Sequence, residues 1–275
     1  MMGGMAWIPD GRPLVFGHRG GSRLAPENTL AAFDRAVAEG VDGLEFDVRL
    51  SRDGEAVVCH DARLDRTTDR TGAISGMTAA EIGRADAGYQ FTAEDGSHPF
   101  RGLGIGVPTL REVLARYPRC PLIVEMKDDT PEMAEAAVAA VREAGALDRV
   151  CLGSFRSDVL RHARRLAPGV ATSGSRREVL HAMAWARLGL FPPWRRYRVL
   201  QVPEGGEGVR VVTPRFVRAA RAAGVPVQVW IVDGADDIRR LLGWGVNAVI
   251  TDRPDVAVRT LAEWRLLTTA AEGPR

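Results

Sequence analysis

The sequence predicts a closed (β/α)8 barrel, a TIM barrel, built as one domain over residues 1–275 with a small lid or subdomain, residues 62–107, inserted after its second strand unit. Three observations lead there. Short apolar runs alternate with amphipathic helical stretches, and parallel strands need such crossovers whereas antiparallel ones do not. The alternation recurs roughly eight times, the number that closes a barrel, in a chain of 275 residues that one such domain accommodates. Polar residues repeatedly stand at the end of an apolar run, and in a barrel those ends converge on one face however far apart they are in sequence. A doubly wound open sheet is the alternative architecture.

Taken in order, Leu14-Val15-Phe16 reads as a buried strand that runs into His18, Arg19 and two glycines. Gly20 and Gly21 permit a sharp turn and a close approach to a ligand. Pro26, Glu27, Asn28 and Thr29 precede the helical pattern LAAFDRAVAEG, which stops at Gly40. LEFDVRLS, residues 44–51, alternates so that Glu45, Asp47 and Arg49 share one face. A turn at 51–54 and a short apolar strand then end at His60 and Asp61. Residues 62–107 are loose, rich in Gly, Thr and charge, and too long for a plain loop. PLIVE, residues 121–125, is the next buried strand and carries Glu125 and Lys127 at its end. From there strand and helix trade places, through VPVQVWIV with Trp230 and NAVIT followed by Asp252.

Composition narrows the function. The chain is 45% apolar and 26% charged with a net charge of +2, an ordinary balance for a globular protein with a proper core. Its basic residues are scattered, which gives no electrostatic footprint for nucleic acid. Cys59, Cys120 and Cys151 are odd in number and lie in apolar segments, as reduced buried thiols do. The start, MMGGMAWIPDGRP, lacks a charged region followed by an apolar one, so a cytoplasmic protein is expected. Residues 183–197 mix Trp185, Leu190, Phe191, Trp194 and Tyr197 with arginines. That mixture could touch a membrane surface, but packing against the barrel rim is the expectation. Nothing in the sequence speaks to oligomeric state.

Glu45, Asp47 and Glu125, with no cysteine beside them, form an oxygen-rich set suited to a hard divalent cation, Mg²⁺ or Ca²⁺; zinc would want more nitrogen or sulfur. Arg19 and Lys127 can bind phosphate, one as a bidentate fork and the other as a point charge. Cations beside a metal predict an anionic substrate. His18 and His60 have ordinary pKa values near neutrality, so either can give or take a proton. A proton donor and a proton acceptor are what cleaving a P–O ester requires.

The residues also resemble a known family. HRG at 18–20, PENT at 26–29, E-F-D at 45–47, HD at 60–61, RTT at 66–68, PTL at 108–110, E-M-K at 125–127 and ITDRP at 250–254 resemble, in order, the motifs of the glycerophosphodiester phosphodiesterases. The resemblance covers nearly the whole chain. It implies a barrel with an inserted subdomain, a divalent metal on Glu45, Asp47 and Glu125, acid and base work by His18 and His60, and phosphate contacts from Arg19 and Lys127. The substrate it implies is a small glycerophosphodiester, cleaved to glycerol 3-phosphate and an alcohol. Beside that reading stand activity on lysophospholipids and a silent barrel that only binds a phosphate ligand. Trp230 is read as a substrate contact, Glu27 and Asn28 as helix-start residues supporting the first loop, Asp252 as a strand-end support, and Asp61 as either an orienter of His60 or a turn cap. One departure is visible: where the family reads W-T-V-N, Trp230 here is followed by Ile231, Val232 and Asp233. Altered substrate shape or polarity is expected there, with Asp233 at the mouth disfavouring anionic head groups.

Overall fold

The structure, a computed structural model, describes residues 12–206 and 208–272. Residues 1–11, which carry most of the segment read as leaderless, lie outside that description. β1 (Leu14–His18) passes through a polar loop into α1 (Leu30–Glu39), and β2 (Gly43–Leu50) turns back into the short β3 (Ala56–Val58). An excursion with a 3₁₀ turn at Ile74–Gly76 and helix α2 (Ala79–Gly83) leads to α3 (Leu110–Arg116), β4 (Leu122–Met126) and α4 (Pro131–Glu143). Then follow β5 (Val150–Gly153), α5 (Ser157–Leu166), β6 (Ala171–Thr172), α6 (Arg176–Ala186) and β7 (Leu200–Pro203). A hairpin of β8 (Gly205–Gly206) and β9 (Val209–Arg210) precedes α7 (Pro214–Ala222), β10 (Val227–Trp230), α8 (Ala235–Trp244), β11 (Ala248–Thr251) and α9 (Pro254–Glu272).

Eight of these strands pair in parallel in the order β6, β5, β4, β2, β1, β11, β10, β7. A single parallel bridge between Ser173 and Val199 joins the two ends, so the sheet curls into the barrel. Helix starts are written in the sequence. Thr78, Thr109 and Ser175 form capping boxes with Glu81, Glu112 and Glu178, and Thr130 and Thr213 cap helices whose first residue is proline. Gly40 and Gly245 end α1 and α8 in the left-handed conformation.

Two apolar shells hold the barrel. Between strands and helices lie alternating residues such as Phe46, Val48, Val124 and Leu152 on one side and Val202, Val229 and Leu241 on the other. Inside the barrel, Leu14, Phe16, Ile123, Cys151, Val199 and Ile250 fill the lower layers. Phe16 needs room there, and a Cβ at position 43 would collide with its ring, so β2 begins with glycine. The three cysteines are free; burial pushes the Cys59 and Cys120 thiols up to about 12 and about 11.

Two features depart from the sequence reading. β3 is not a barrel strand: it runs antiparallel to β2, with Val48 opposite Val58. The hairpin of β8 and β9 sits where the sequence, rich in glycine, shows no apolar alternation. The excursion packs a small cluster of its own, Leu64, Ile74, Ile82, Ala85 and Val107, against Val57 and Cys59. Among the described residues no helix is long and apolar enough to cross a membrane.

Candidate active site

Strand register sets the first neighbours. His18 on β1 pairs with Glu45 on β2, and Asp47 on β2 with Glu125 on β4. Because all three strands are parallel, their inward side chains rise to one end of the barrel in step. The backbone after β1 must then turn within a few residues. Arg19 adopts a left-handed φ of 51°, and its N–H donates to the Glu45 carbonyl at 2.7 Å. Gly20 is obligatory: its φ is 83°, and a Cβ there would lie 2.7 Å from the Ala32 methyl.

Glu45, Asp47 and Glu125 each turn one oxygen toward a common point, with those oxygens within 4.8 Å of one another. Burial, together with Asp47 and Glu125 nearby, pushes the Glu45 carboxyl up to about 8; burial also raises Glu125. Burial opposes ionisation of Asp47 too, but Lys127, Arg19 and Asn28 overcome it and hold that carboxyl below its ordinary value. Lys127 Nζ lies 3.0 Å from Asp47 and 3.1 Å from Glu125 Oε1, yet the second contact is not aligned as a hydrogen bond and leaves that buried oxygen without a donor. Arg19 Nε, 3.1 Å from Asp47, is likewise buried without an aligned acceptor. A trio short of positive charge, with an orphaned carboxylate oxygen, fits a divalent cation held by oxygen donors. An orphaned guanidinium N–H beside it fits an anionic oxygen.

The histidines flank this trio. His18 Nδ1 is 2.7 Å from Asp252 Oδ1, and its Nε2 is 3.9 Å from Glu45. Burial works against a charged His18, but Asp252 and Glu45 outweigh it and raise its pKa. His60 Nδ1 is 2.7 Å from Asp61, and burial, helped by Lys127 and Arg19, lowers its pKa. The antiparallel β3 explains how His60 arrives: the hairpin rises with β2 and drops back, so that the Cys59 N–H donates to the Asp47 carbonyl. Its place comes from that return and not from the end of a barrel strand.

A pocket of about 190 Å³ holds eight of the residues singled out from sequence: His18, Arg19, Glu45, Asp47, His60, Glu125, Lys127 and Trp230. The supporting residues stand behind them. Glu27 accepts from Arg19 and from both terminal nitrogens of Arg66, which also reaches Asp61. Asp61 therefore orients His60 and is not merely a turn cap. Asn28 is not the helix cap; Thr29 is, and Asn28 donates instead to Asp47 at 3.0 Å. Asp233 does not face the mouth as expected: its Oδ1 accepts from the Thr251 hydroxyl and the Asp252 N–H at 2.9 and 2.8 Å. A carboxylate at that position finds two donors at the end of the neighbouring strand β11, and it does not line the pocket.

The far side of the pocket carries no distinctive signal in the sequence. It is made by Gly153, Ser154, Phe155, Ser173, Gly174 and Gln201. Phe155 packs edge-on against Trp230, with ring centroids 6.3 Å apart, and Lys127 lies 5.9 Å from the Phe155 ring centre. Gln201 donates to Gln228, a fully buried amide whose nitrogen finds no partner. A small or neutral residue immediately after an apolar run is the only signal these positions offer.

The profile of the glycerophosphoryl diester phosphodiesterase family matches residues 18–256, from the first histidine to just beyond Asp252. The chain belongs to that family. It is 31% identical over 252 residues to the glycerophosphodiester phosphodiesterase of Caldanaerobacter subterraneus, covering 90% of this chain and 97% of that one. With the Bacillus subtilis glycerophosphodiester phosphodiesterase it shares 30% over 263 residues, 90% of this chain and 86% of the relative. Among solved structures, the glycerophosphodiester phosphodiesterase of Agrobacterium tumefaciens superposes with a TM-score of 0.73 at 30% identity, over 89% of this chain and 99% of that one. A phosphodiesterase of Oleispira antarctica, in complex with the product sn-glycerol-3-phosphate, superposes with a TM-score of 0.74 at 27% identity, over 91% and 97%. This glycerophosphodiester phosphodiesterase family member is accordingly an enzyme with a TIM-barrel fold, a phosphoric diester hydrolase.

Proposed function

We propose that the enzyme hydrolyses small glycerophosphodiesters to glycerol 3-phosphate and an alcohol, with Glu45, Asp47 and Glu125 holding Mg²⁺ or Ca²⁺ and His18 and His60 moving protons. One observation carries the reading: three carboxylates within reach of one ion stand between two histidines, each oriented by its own carboxylate. A divalent cation held there supplies Lewis-acid stabilisation of charge on a phosphoryl oxygen. Arg19 and Lys127 bind the remaining phosphoryl oxygens, and their donors are fixed before substrate arrives, which is what electrostatic stabilisation requires. One histidine takes the proton of the attacking hydroxyl as its oxygen bonds to phosphorus; attack by water gives glycerol 3-phosphate directly, whereas attack by the substrate's own glycerol hydroxyl gives a cyclic phosphate that a water, deprotonated in the same way, then opens to glycerol 3-phosphate. The other gives a proton to the departing alcohol as the P–O bond breaks. The opposite pKa directions of the two imidazoles suit such a pair.

The far side of the pocket takes the glycerol or the small alcohol, Trp230 and Phe155 covering its carbons and Gln201 meeting a hydroxyl. We read residues 62–107 as an inserted cap, tied to the strand-end loop after β11 by the Glu94–Arg253 pair. The test is release of glycerol 3-phosphate from several glycerophosphodiesters, with and without chelator. Release that chelation stops and Mg²⁺ or Ca²⁺ restores is expected; release indifferent to chelator overturns the metal assignment, and none from any diester overturns the substrate class.

A further inference from the structure

We propose that the loop between α6 and β7 is an attachment surface for an anionic lipid bilayer, holding the enzyme with its pocket turned toward solution. The loop joins the end of a helix to the start of a barrel strand, so it lies toward the strand N-terminal ends, away from the catalytic end. Arg195 fixes it there by donating to the carbonyl of Ala223, just past α7.

Three large apolar side chains point outward within seven residues of this loop: Leu188 is 73% exposed, Leu190 54% and Trp194 65%. They are not frayed. Trp194 stands edge-on against Trp185 with ring centroids 5.2 Å apart, and the Leu190 N–H donates to the Trp185 carbonyl. Leu180, on the outer face of α6, is exposed as well. Large apolar side chains exposed in so short a stretch mark an interaction surface.

The charge around it chooses the partner. The loop, residues 187–199, contains four arginines and no carboxylate, a net charge of +4 in a chain whose total is +2. Arg187 and Arg196 are exposed beside the apolar tips. A second copy of the chain would bring these cations face to face. Apolar tips at the acyl boundary with guanidinium groups among lipid phosphates satisfy both halves of the surface.

The experiment is sedimentation of the full chain with vesicles of phosphatidylcholine alone or of phosphatidylcholine mixed with phosphatidylglycerol. Binding to the mixed vesicles only, weakened by salt, is expected. Arg187→Gln combined with Arg196→Gln lowers partitioning by about 25-fold, roughly five-fold per arginine, and Leu188→Ser with Leu190→Ser lowers it too. Both variants keep the native melting temperature and the native rate on a soluble glycerophosphodiester. Three results overturn the proposal: no uptake by mixed vesicles at low salt, equal uptake by native chain and variants, or a dimer in light scattering that the loop variants dissolve. So does retention on polyglutamate without vesicle uptake, which identifies an acidic macromolecule. Vesicle uptake does not depend on diester hydrolysis, so the surface and the proposed activity fail separately.

Discussion

The pocket has two sides of opposite character. On the side of β1, β2 and β4 every inward residue at the rim is ionisable, and each is held by another charge: His18 by Asp252, Arg19 by Glu27 and Asp47, Lys127 by Asp47 and Glu125. On the side of β5, β6 and β7 the rim is glycine, serine and glutamine, with Phe155 and Trp230 as a cover. The first side positions charge and the second leaves space. The proposed function places chemistry and selectivity on different strands of one barrel, and substitutions should separate them.

The largest effect should come from the charged side. Alanine at His18 or His60 is expected to lower turnover by about two to four powers of ten, with little change in KM; near-native turnover in both variants would remove the histidines from the reaction. Glu45→Gln should abolish metal-dependent activity while stabilising the metal-free protein. The sign follows from the raised carboxyl: between pH 4.5 and about 8 the folded chain keeps a proton that the unfolded chain has released, so native stability falls as pH rises through that window. Removing that carboxyl should raise the metal-free melting temperature at pH 8 by on the order of 5 °C. Divalent cation should then stabilise the native chain and not the variant, which differential scanning calorimetry at several pH values reads directly.

On the neutral side the effects should be smaller and selective. A Cβ at Gly153 meets Gln201 and Ser173 at an ordinary 3.5 Å, so Gly153→Ala is tolerated, whereas Gly153→Val fills the space. The valine should raise KM about ten-fold, unequally among head groups, with kcat held within a few-fold; a kcat loss as large as that of the histidine variants would erase the division between the two sides. Smallest of all is Asp233→Asn. The amide oxygen can accept the same two hydrogen bonds, so activity and head-group preference should be unchanged, and a gain on anionic head groups would show that the carboxylate reaches the mouth after all.

The two sides were also unequally legible. Glu45, Asp47, Glu125 and Lys127 could be read because a charge at the end of an apolar strand has few structural reasons to be there. The barrel was legible for a related reason, since the strand–helix alternation leaves few topologies. Gly153, Ser173 and Gln201 could not be read, because small and neutral residues follow strands everywhere for the sake of a turn. His60 was found for a reason that proved incomplete: the strand before it looks like a barrel strand, and only its pairing with β2 shows an antiparallel return. Asn28 resembles a helix cap in the sequence because asparagine caps helices well, yet Thr29 next to it does that and frees Asn28 for Asp47. Asp233 was misplaced because direction along a loop is a tertiary fact.

The hoop of strands has one slender stave. β6 is two residues long, and it meets β7 through the Ser173–Val199 bridge with two flanking hydrogen bonds, from Gly174 and Arg198. Thermal breathing should begin at that seam, so the amides of Gly174 and Arg198 are expected to exchange with deuterium sooner than those of Phe46 or Val124. A barrel that loosens there widens on its spacious flank while the ionic cluster opposite stays taut, and should admit bulkier alcohols without disturbing the groups proposed to break the ester.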